Sequence, residues 1–197
     1  MGKLFCIMGK SASGKDTVYK ALVNDPELHL HTVVPYTTRP IREGEAEGEN
    51  YYFVDESVFC RMAAEGKIIE DRAYNTVDGL WRYFTADDGQ IDFSKGYFII
   101  IGTLEAYVIM AAYFGRESVI PIYIEVEDGQ RLHRAIAREE IQKKPKYAEL
   151  CRRFLADNED FSSEKLAAAG VCKFYENNCL EQCINDIRAD ILKELQK

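Results

Sequence analysis

The sequence predicts an α/β fold, a parallel sheet flanked by helices, and three observations carry that expectation. Two apolar runs, Tyr97-Phe98-Ile99-Ile100-Ile101 and Val119-Ile120-Pro121-Ile122-Tyr123-Ile124, lack polar alternation. Such runs suit central strands buried on both faces. Between them, residues 104–114 are long enough for a crossover helix. Residues 3–8 form a third apolar run, rich in strand formers and punctuated by Gly9.

In chain order, Thr17-Val18-Tyr19-Lys20-Ala21-Leu22-Val23 reads as a helix that stops near Asn24-Asp25-Pro26. Thr32-Val33-Val34 is a strand candidate ended by Pro35, and residues 37–50, rich in charge and glycine, read as a surface loop. Tyr51-Tyr52-Phe53-Val54 reads as a strand, and Asp55 opens a capped helix that ends at Gly66. The C-terminal third is mostly helical, with one edge strand expected at Val171-Cys172-Lys173-Phe174-Tyr175. The last helix, about 180–195, places Cys183, Ile184, Ile187, Ile191 and Leu195 on one stripe. The sequence has no internal repeat and no low-complexity linker.

With 197 residues, 47% of them apolar, the chain fits one domain with a sizeable core. A net charge of −8 and a pI near 5.0 argue against a general nucleic-acid binder, while leaving room for a local basic pocket. No apolar stretch is long enough to span a bilayer, so no membrane partner is expected. The opening residues read as a buried strand rather than a signal peptide. The six cysteines form no C-x-x-C pair and read as scattered thiols, with a disulfide or a metal site near the C-terminus as the other option. The expected location is the cytoplasm.

The loop Gly9-Lys10-Ser11-Ala12-Ser13-Gly14-Lys15 has the spacing Gly-x4-Gly-Lys, directly after a strand and directly before a helix. Small residues, here Gly9, Ser11, Ser13 and Gly14, let backbone N–H groups turn inward around phosphate oxygens, and the helix N-terminus adds positive potential. Lys15 would reach the β- and γ-phosphates of ATP. A solvated glycine turn is the bland alternative; the strand–loop–helix setting favours the phosphate loop. The position after Lys15 usually carries a hydroxyl that ligates Mg²⁺; here it is Asp16, with Thr17 next. Asp16 could ligate Mg²⁺ directly, act through water, or cap the helix.

Downstream, Pro35-Tyr36-Thr37-Thr38-Arg39-Pro40-Ile41-Arg42 carries two arginines three residues apart, with Tyr51 nearby. These make a planar-donor clamp for a phosphate dianion, or equally an exposed charged loop with aromatic packing behind it. At this point the sequence resembles the guanylate kinase family. That family's S-x-T-T-R-x-x-R, a short acidic spacer and D-Y-Y-F-V are matched over residues 35–54. The resemblance weakens between residues 74 and 105 and in the C-terminal helices.

The resemblance implies a P-loop core at 1–33, 94–128 and 151–197, a mixed α/β nucleoside-monophosphate-binding insert at 34–93, and a helical lid at 129–150. It implies that Arg39, Arg42 and Tyr51 hold the acceptor phosphate, and that Glu70 accepts hydrogen bonds from the guanine edge. Tyr83-Phe84-Thr85 is the nearest counterpart of the Y-G-T/S that completes the pocket, with Trp81 as the other occupant of that space. Pro35 stands where the family has a guanine-contacting serine. The family's D-x-D is replaced by Ile101 and Thr103, of which only Thr103 can still accept a hydrogen bond.

Arg131, Arg134 and Arg138 fall on one predicted helix, and Arg153 follows a lysine-rich stretch. Taken alone they read as a solvated face, neutralised by Glu139 and Glu140. By the resemblance, Arg134, Arg138 and Arg153 are lid arginines that close over the triphosphate, and Asn177 lies near the ATP adenine. The implied activity is transfer of a phosphoryl group from ATP–Mg²⁺ to GMP or dGMP, by positioning and electrostatics alone. The alternatives are a kinase for another nucleoside monophosphate and a non-catalytic module that binds phosphoproteins. Retention of Gly9, Gly14 and Lys15 disfavours the module, and the Arg39/Arg42 clamp disfavours a simple ATPase or GTPase.

Overall fold

The computed structural model describes residues 2–42, 44–76 and 79–197. Nine strands and seven helices alternate along these residues. The strands are β1 (Leu4–Met8), β2 (Leu30–Thr32), β3 (Tyr36–Thr37), β4 (Tyr52–Phe53), β5 (Ile68–Thr76), β6 (Gly79–Ala86), β7 (Tyr97–Ile101), β8 (Val119–Glu125) and β9 (Phe174–Glu176). The helices are α1 (Lys15–Val23), α2 (Glu56–Ala64), α3 (Leu104–Phe114), α4 (Asp128–Glu140), α5 (Tyr147–Asp160), α6 (Ser163–Ala168) and α7 (Leu180–Leu195).

Five parallel strands form the main sheet in the order β2-β7-β1-β8-β9. The central strand β1 is buried at every residue, because its two faces pack against different layers. Phe5 and Ile7 join Ile99, Ile122 and Ile124 under α1 and α7, against Val18, Leu22, Ile187 and Ile191. Leu4, Cys6 and Met8 point the other way, into a core with Tyr107 and Met110 of α3 and Leu166 of α6. The period-2 side-chain alternation of a strand explains why an all-apolar run is needed there.

Two expected strands lie elsewhere, each for a local reason. β2 begins earlier, at Leu30, and the ladder ends after Val33 donates to the Ile99 carbonyl. Val34 then turns away, because the Gln90 side chain takes both its N–H (2.9 Å) and its carbonyl (3.2 Å). At the far edge β9 starts at Phe174 rather than Val171, since the Val171 N–H is held by Leu166 at the end of α6.

A second, mixed sheet has the order β4-β3-β6-β5. The 37–50 segment is irregular after β3 in its described residues, apart from a bridge between Glu47 and Tyr51. The hairpin β5–β6 was not foreseen, and its register matters for the site. Glu70 faces Thr85, Arg72 faces Tyr83 and Tyr74 faces Trp81, so these six side chains share one sheet face. Asp55 caps α2 as expected, accepting from the Val58 N–H at 3.0 Å.

No described helix is long and apolar enough to cross a membrane. All six cysteines are free thiols, and the described residues contain no group of three or more His, Cys, Asp or Glu able to hold a metal ion. Burial pushes the Cys6 thiol up to about 12, and burial likewise pushes Cys183 to about 11. Cys60, Cys151, Cys172 and Cys179 are exposed. A thiol-reactive chromophore at pH 8 should therefore titrate four groups quickly in the native protein and all six in denaturant. Fast reaction of six thiols without denaturant would contradict this packing.

Candidate functional site

The glycine loop connects β1 to α1 at the C-terminal edge of the sheet, the edge where open parallel sheets bind ligands. Ala12 and Gly14 adopt positive φ values, 62° and 85°, which bend the loop around its own amide groups. Gly14 is also the N-cap of α1, so the opening amides of the helix at Lys15 and Asp16 have no intrahelical partner. A Cβ on Gly9 would lie 2.7 Å from both the Ile124 carbonyl and the Ser13 hydroxyl. Ser13 is fully buried, and its hydroxyl has no partner. Such an orphaned oxygen beside the unpaired amides that open α1 suits a bound anion. Lys15, half-buried, has no ion-pair partner among the described residues.

Amides that turn inward force carbonyls outward, and here distant side chains receive them. The Ser13 carbonyl accepts from the Asn177 amide at 2.8 Å, and the Ser11 carbonyl from Arg131 at 3.0 Å. Asn177 is thus buried and bonded to the loop backbone. Its neighbour Asn178 instead lines an open cleft of ≈ 380 Å³ with Lys10, Glu127 and Asp128. Glu125, Glu127, Asp128 and Glu176 outnumber Lys10 and Arg131 in that cleft and give it an acidic lining.

Arg131 was read only as part of a solvated face. It is 1% exposed, stacks over the Phe154 ring and bonds Asp128 (2.8 Å) and Asn158 (3.1 Å) as well as Ser11. Asp157 on α5 accepts from the Ser11 N–H at 2.7 Å, and Lys10 reaches Asn158 at 2.8 Å. Helices α4 and α5 therefore sit directly on the glycine loop. Arg134 donates to the Asn177 carbonyl at 2.9 Å. Arg138 and Arg153 line one small cavity with Ser11. Arg153 approaches Glu149 at 3.7 Å, yet its buried Nε lacks a hydrogen-bond partner.

Asp16 and Thr17 are exposed on the first turn of α1. Neither caps the helix, because the N-cap is Gly14 and no side chain bonds there. The capping reading of Asp16 is thus overturned, leaving a hard carboxylate oxygen with no ion-pair partner among the described residues, at the start of α1. Mg²⁺ takes one or two carboxylates together with substrate phosphates rather than an all-protein cage, so this donor set fits it.

The second sheet gathers the other group. Arg39 is 3% exposed, with its guanidinium over the Tyr51 ring at 5.1 Å and the Phe53 ring at 5.4 Å. Glu45 binds it in a two-pronged ion pair at 2.6 and 2.7 Å, and this hydrogen bonding holds the Glu45 carboxyl below the usual carboxylate range. The Arg39 Nε donates to the Tyr83 hydroxyl at 3.0 Å, which leaves the hydroxyl's own proton free to donate onward. Arg42 lies over the Trp81 ring at 5.8 Å with no ion pair among the described residues. Trp81 thus packs against Arg42. The Thr85 hydroxyl donates to Glu70 at 2.8 Å.

Thr103 caps α3 by accepting from the Ala106 N–H at 3.2 Å, so its hydroxyl is less available than expected. Gly102 bonds back to the Ile7 carbonyl at 2.9 Å, which brings Thr103 to the sheet edge that carries the glycine loop. Arg72, which no expectation included, donates to Glu70 at 3.0 Å and lies 3.5 Å from the Thr103 hydroxyl. Arg72, Glu45, Arg131 and Asp157 are the residues missed. Only the period-2 spacing of Glu70 and Arg72 offered a signal, and it required knowing that residues 68–76 form a strand.

A family model for guanylate kinase matches residues 1–78. The chain is 30% identical to a guanylate kinase of Leifsonia xyli over 196 residues, covering 98% of this chain and 68% of that protein. It is 42% identical to a guanylate kinase of Zymomonas mobilis over 81 residues, a match that spans only 37% of that relative's length. The solved guanylate kinase of Anaplasma phagocytophilum superposes with a TM-score of 0.70 at 22% identity, covering 100% of this chain and 87% of that one.

Gly14 gives the loop its most direct test. A Cβ there would overlap the Asn177 amide and force an L-residue into the left-handed region. Gly14→Ala should cost about 1–2 kcal/mol in urea denaturation. An unchanged midpoint would show that the loop does not hold this conformation in solution.

Proposed function

Because this chain belongs to the guanylate kinase family, we propose that it transfers the terminal phosphoryl group of ATP to a nucleoside monophosphate, with GMP or dGMP as the acceptor. One strand face carries the reading. On β6 the Tyr83 hydroxyl is bonded to Arg39, and two residues on the Thr85 hydroxyl is bonded to Glu70. These two bonded pairs on one strand face support a phosphate clamp beside a base reader, as a nucleotide's own two ends require.

In this account the free amides at the start of α1, those of Lys15 and Asp16 among them, bind the donor phosphates, and Lys15 neutralises charge on the transferring group. The acceptor phosphate meets Arg42 and the Tyr51 and Tyr83 hydroxyls, while Arg39 orients Tyr83 and is itself fixed by Glu45. A phosphate oxygen of the acceptor forms the new P–O bond as the bond to the ADP oxygen breaks, giving ADP and a nucleoside diphosphate. Arg134, Arg138 and Arg153 surround the triphosphate and exclude water. Asp16 would hold Mg²⁺, which supplies charge neutralisation on the phosphates when bound. In the proposed division, residues 34–93 bind the acceptor, 129–150 close as a lid, and 1–33, 94–128 and 151–197 form the core. The proposed location is the cytoplasm, where both nucleotides are found, with no nucleic acid or membrane as partner.

An ADP-forming assay with ATP–Mg²⁺ against GMP, dGMP, AMP, CMP and UMP tests this, with turnover of the guanine nucleotides expected. Turnover of none of them would favour the phosphoprotein-binding module instead. Lys15→Ala should lower kcat by at least about a hundredfold. Arg39→Ala should raise the acceptor KM about ten- to a hundredfold while leaving the ATP KM within about twofold. Equal loss for both substrates would contradict separate sites.

A further inference from the structure

The acceptor pocket holds a cation that the sequence did not announce. Arg72 shares its sheet face with Glu70 and packs flat on it, with Nε donating to Oε2 at 3.0 Å and Nη2 to Oε1 at 3.4 Å. Its Nη1 points to the Thr103 hydroxyl at 3.5 Å, the outer limit of a hydrogen bond. The Arg72 side chain is 15% exposed and that of Glu70 1%, so the guanidinium is the more accessible of the pair.

Donors and acceptors can be counted here. A guanidinium has five N–H groups in a planar fork. One is fixed on Oε2 and one on Oε1 of Glu70, and one is turned toward Thr103. One N–H on each terminal nitrogen remains. Glu70 Oε1 already accepts from Thr85 and Arg72, whereas Oε2 accepts from Arg72 alone and keeps a free lone pair. Thr103 accepts from the Ala106 N–H. Pro35 and Ile101 have no side-chain polar atom. What faces a base is therefore a donor pair beside a single strong acceptor.

A 6-oxopurine complements that pattern, because its O6 accepts and its adjacent N1–H donates. A 6-aminopurine presents the reverse at both positions and would leave two polar groups unpaired. We propose that Arg72 is the specificity-determining residue of the acceptor site, donating to the 6-oxo oxygen of a purine nucleotide while Glu70 orients it and accepts from N1–H. This rests on the kinase reading with its base pocket at Glu70. It also predicts that the 2-amino group is weakly read, since the Thr103 hydroxyl is engaged elsewhere.

The test compares GMP, IMP, AMP and 2-aminopurine riboside monophosphate, which keeps the 2-amino group but lacks O6 and N1–H. Wild-type kcat/KM should be similar for GMP and IMP, within about tenfold, and lower by about a hundredfold for the other two. Arg72→Met, which keeps length without donors, should erase most of the preference for GMP over 2-aminopurine riboside monophosphate, mainly through the acceptor KM. Arg72→Lys should restore part of it, and the ATP KM should stay unchanged. Equal use of GMP and the 2-aminopurine nucleotide by the wild type overturns the assignment, as does an Arg72→Met variant that loses activity equally on every acceptor. Turnover of pyrimidine nucleotides alone would overturn it while sparing the kinase reading. Absence of all turnover would sink that reading instead. In that case, competition between GMP and the fluorescent 2-aminopurine nucleotide for binding still decides on Arg72: equal affinity overturns the proposal, and tighter GMP binding that Arg72→Met abolishes supports it.

Discussion

The glycine loop can offer its amides to phosphate only if its outward carbonyls are satisfied elsewhere, and that constraint organises this molecule. A buried carbonyl without a donor is costly, so the loop needs partners that its own short sequence cannot supply. Arg131 of α4 takes the Ser11 carbonyl, and Asn177, just beyond β9, takes that of Ser13. Arg134 then holds the Asn177 carbonyl. Two segments far apart in the chain, α4 and the turn after β9, thus lock one loop and join each other at the binding edge. The loop's shape is a tertiary property as much as a local one.

A second regularity follows from burying cations in an acidic chain. Arg39 is gripped by Glu45, Arg72 by Glu70, and Arg131 by Asp128 with Asp157 at 3.6 Å. A buried guanidinium without such a partner would be strongly destabilising. The paired arginines therefore build and orient the site. Lys15, Arg42 and Arg138 have no ion pair among the described residues, which leaves their charges unneutralised. Under the proposed function, this division would let a chain of net charge −8 bind polyanions.

The sheet was legible because β1, β7 and β8 are buried on both faces and so read as unbroken apolar runs. The glycine loop was legible because its spacing and its neighbours follow from one mechanism. The β5–β6 hairpin was not, since Glu70, Asp71, Arg72, Asn75 and Thr76 give it no apolar alternation. In the proposed function its polar face is the base pocket, where function rather than core packing chose the residues. Arg131 was misread for a related reason. A charged residue at helical spacing looks solvated until the elements packed over it are known, and Phe154, Asn158 and Asp157 all come from α5.

The central claim is that two phosphate sites serve one transfer, and the fate of the phosphorus atom tests it most directly. ³¹P NMR of the protein with ATP, Mg²⁺ and GMP should show the γ-phosphate signal of ATP replaced by the β-phosphate signals of ADP and GDP in equal amounts. Growth of the inorganic phosphate signal instead would mean that the acceptor is water, and would contradict the account.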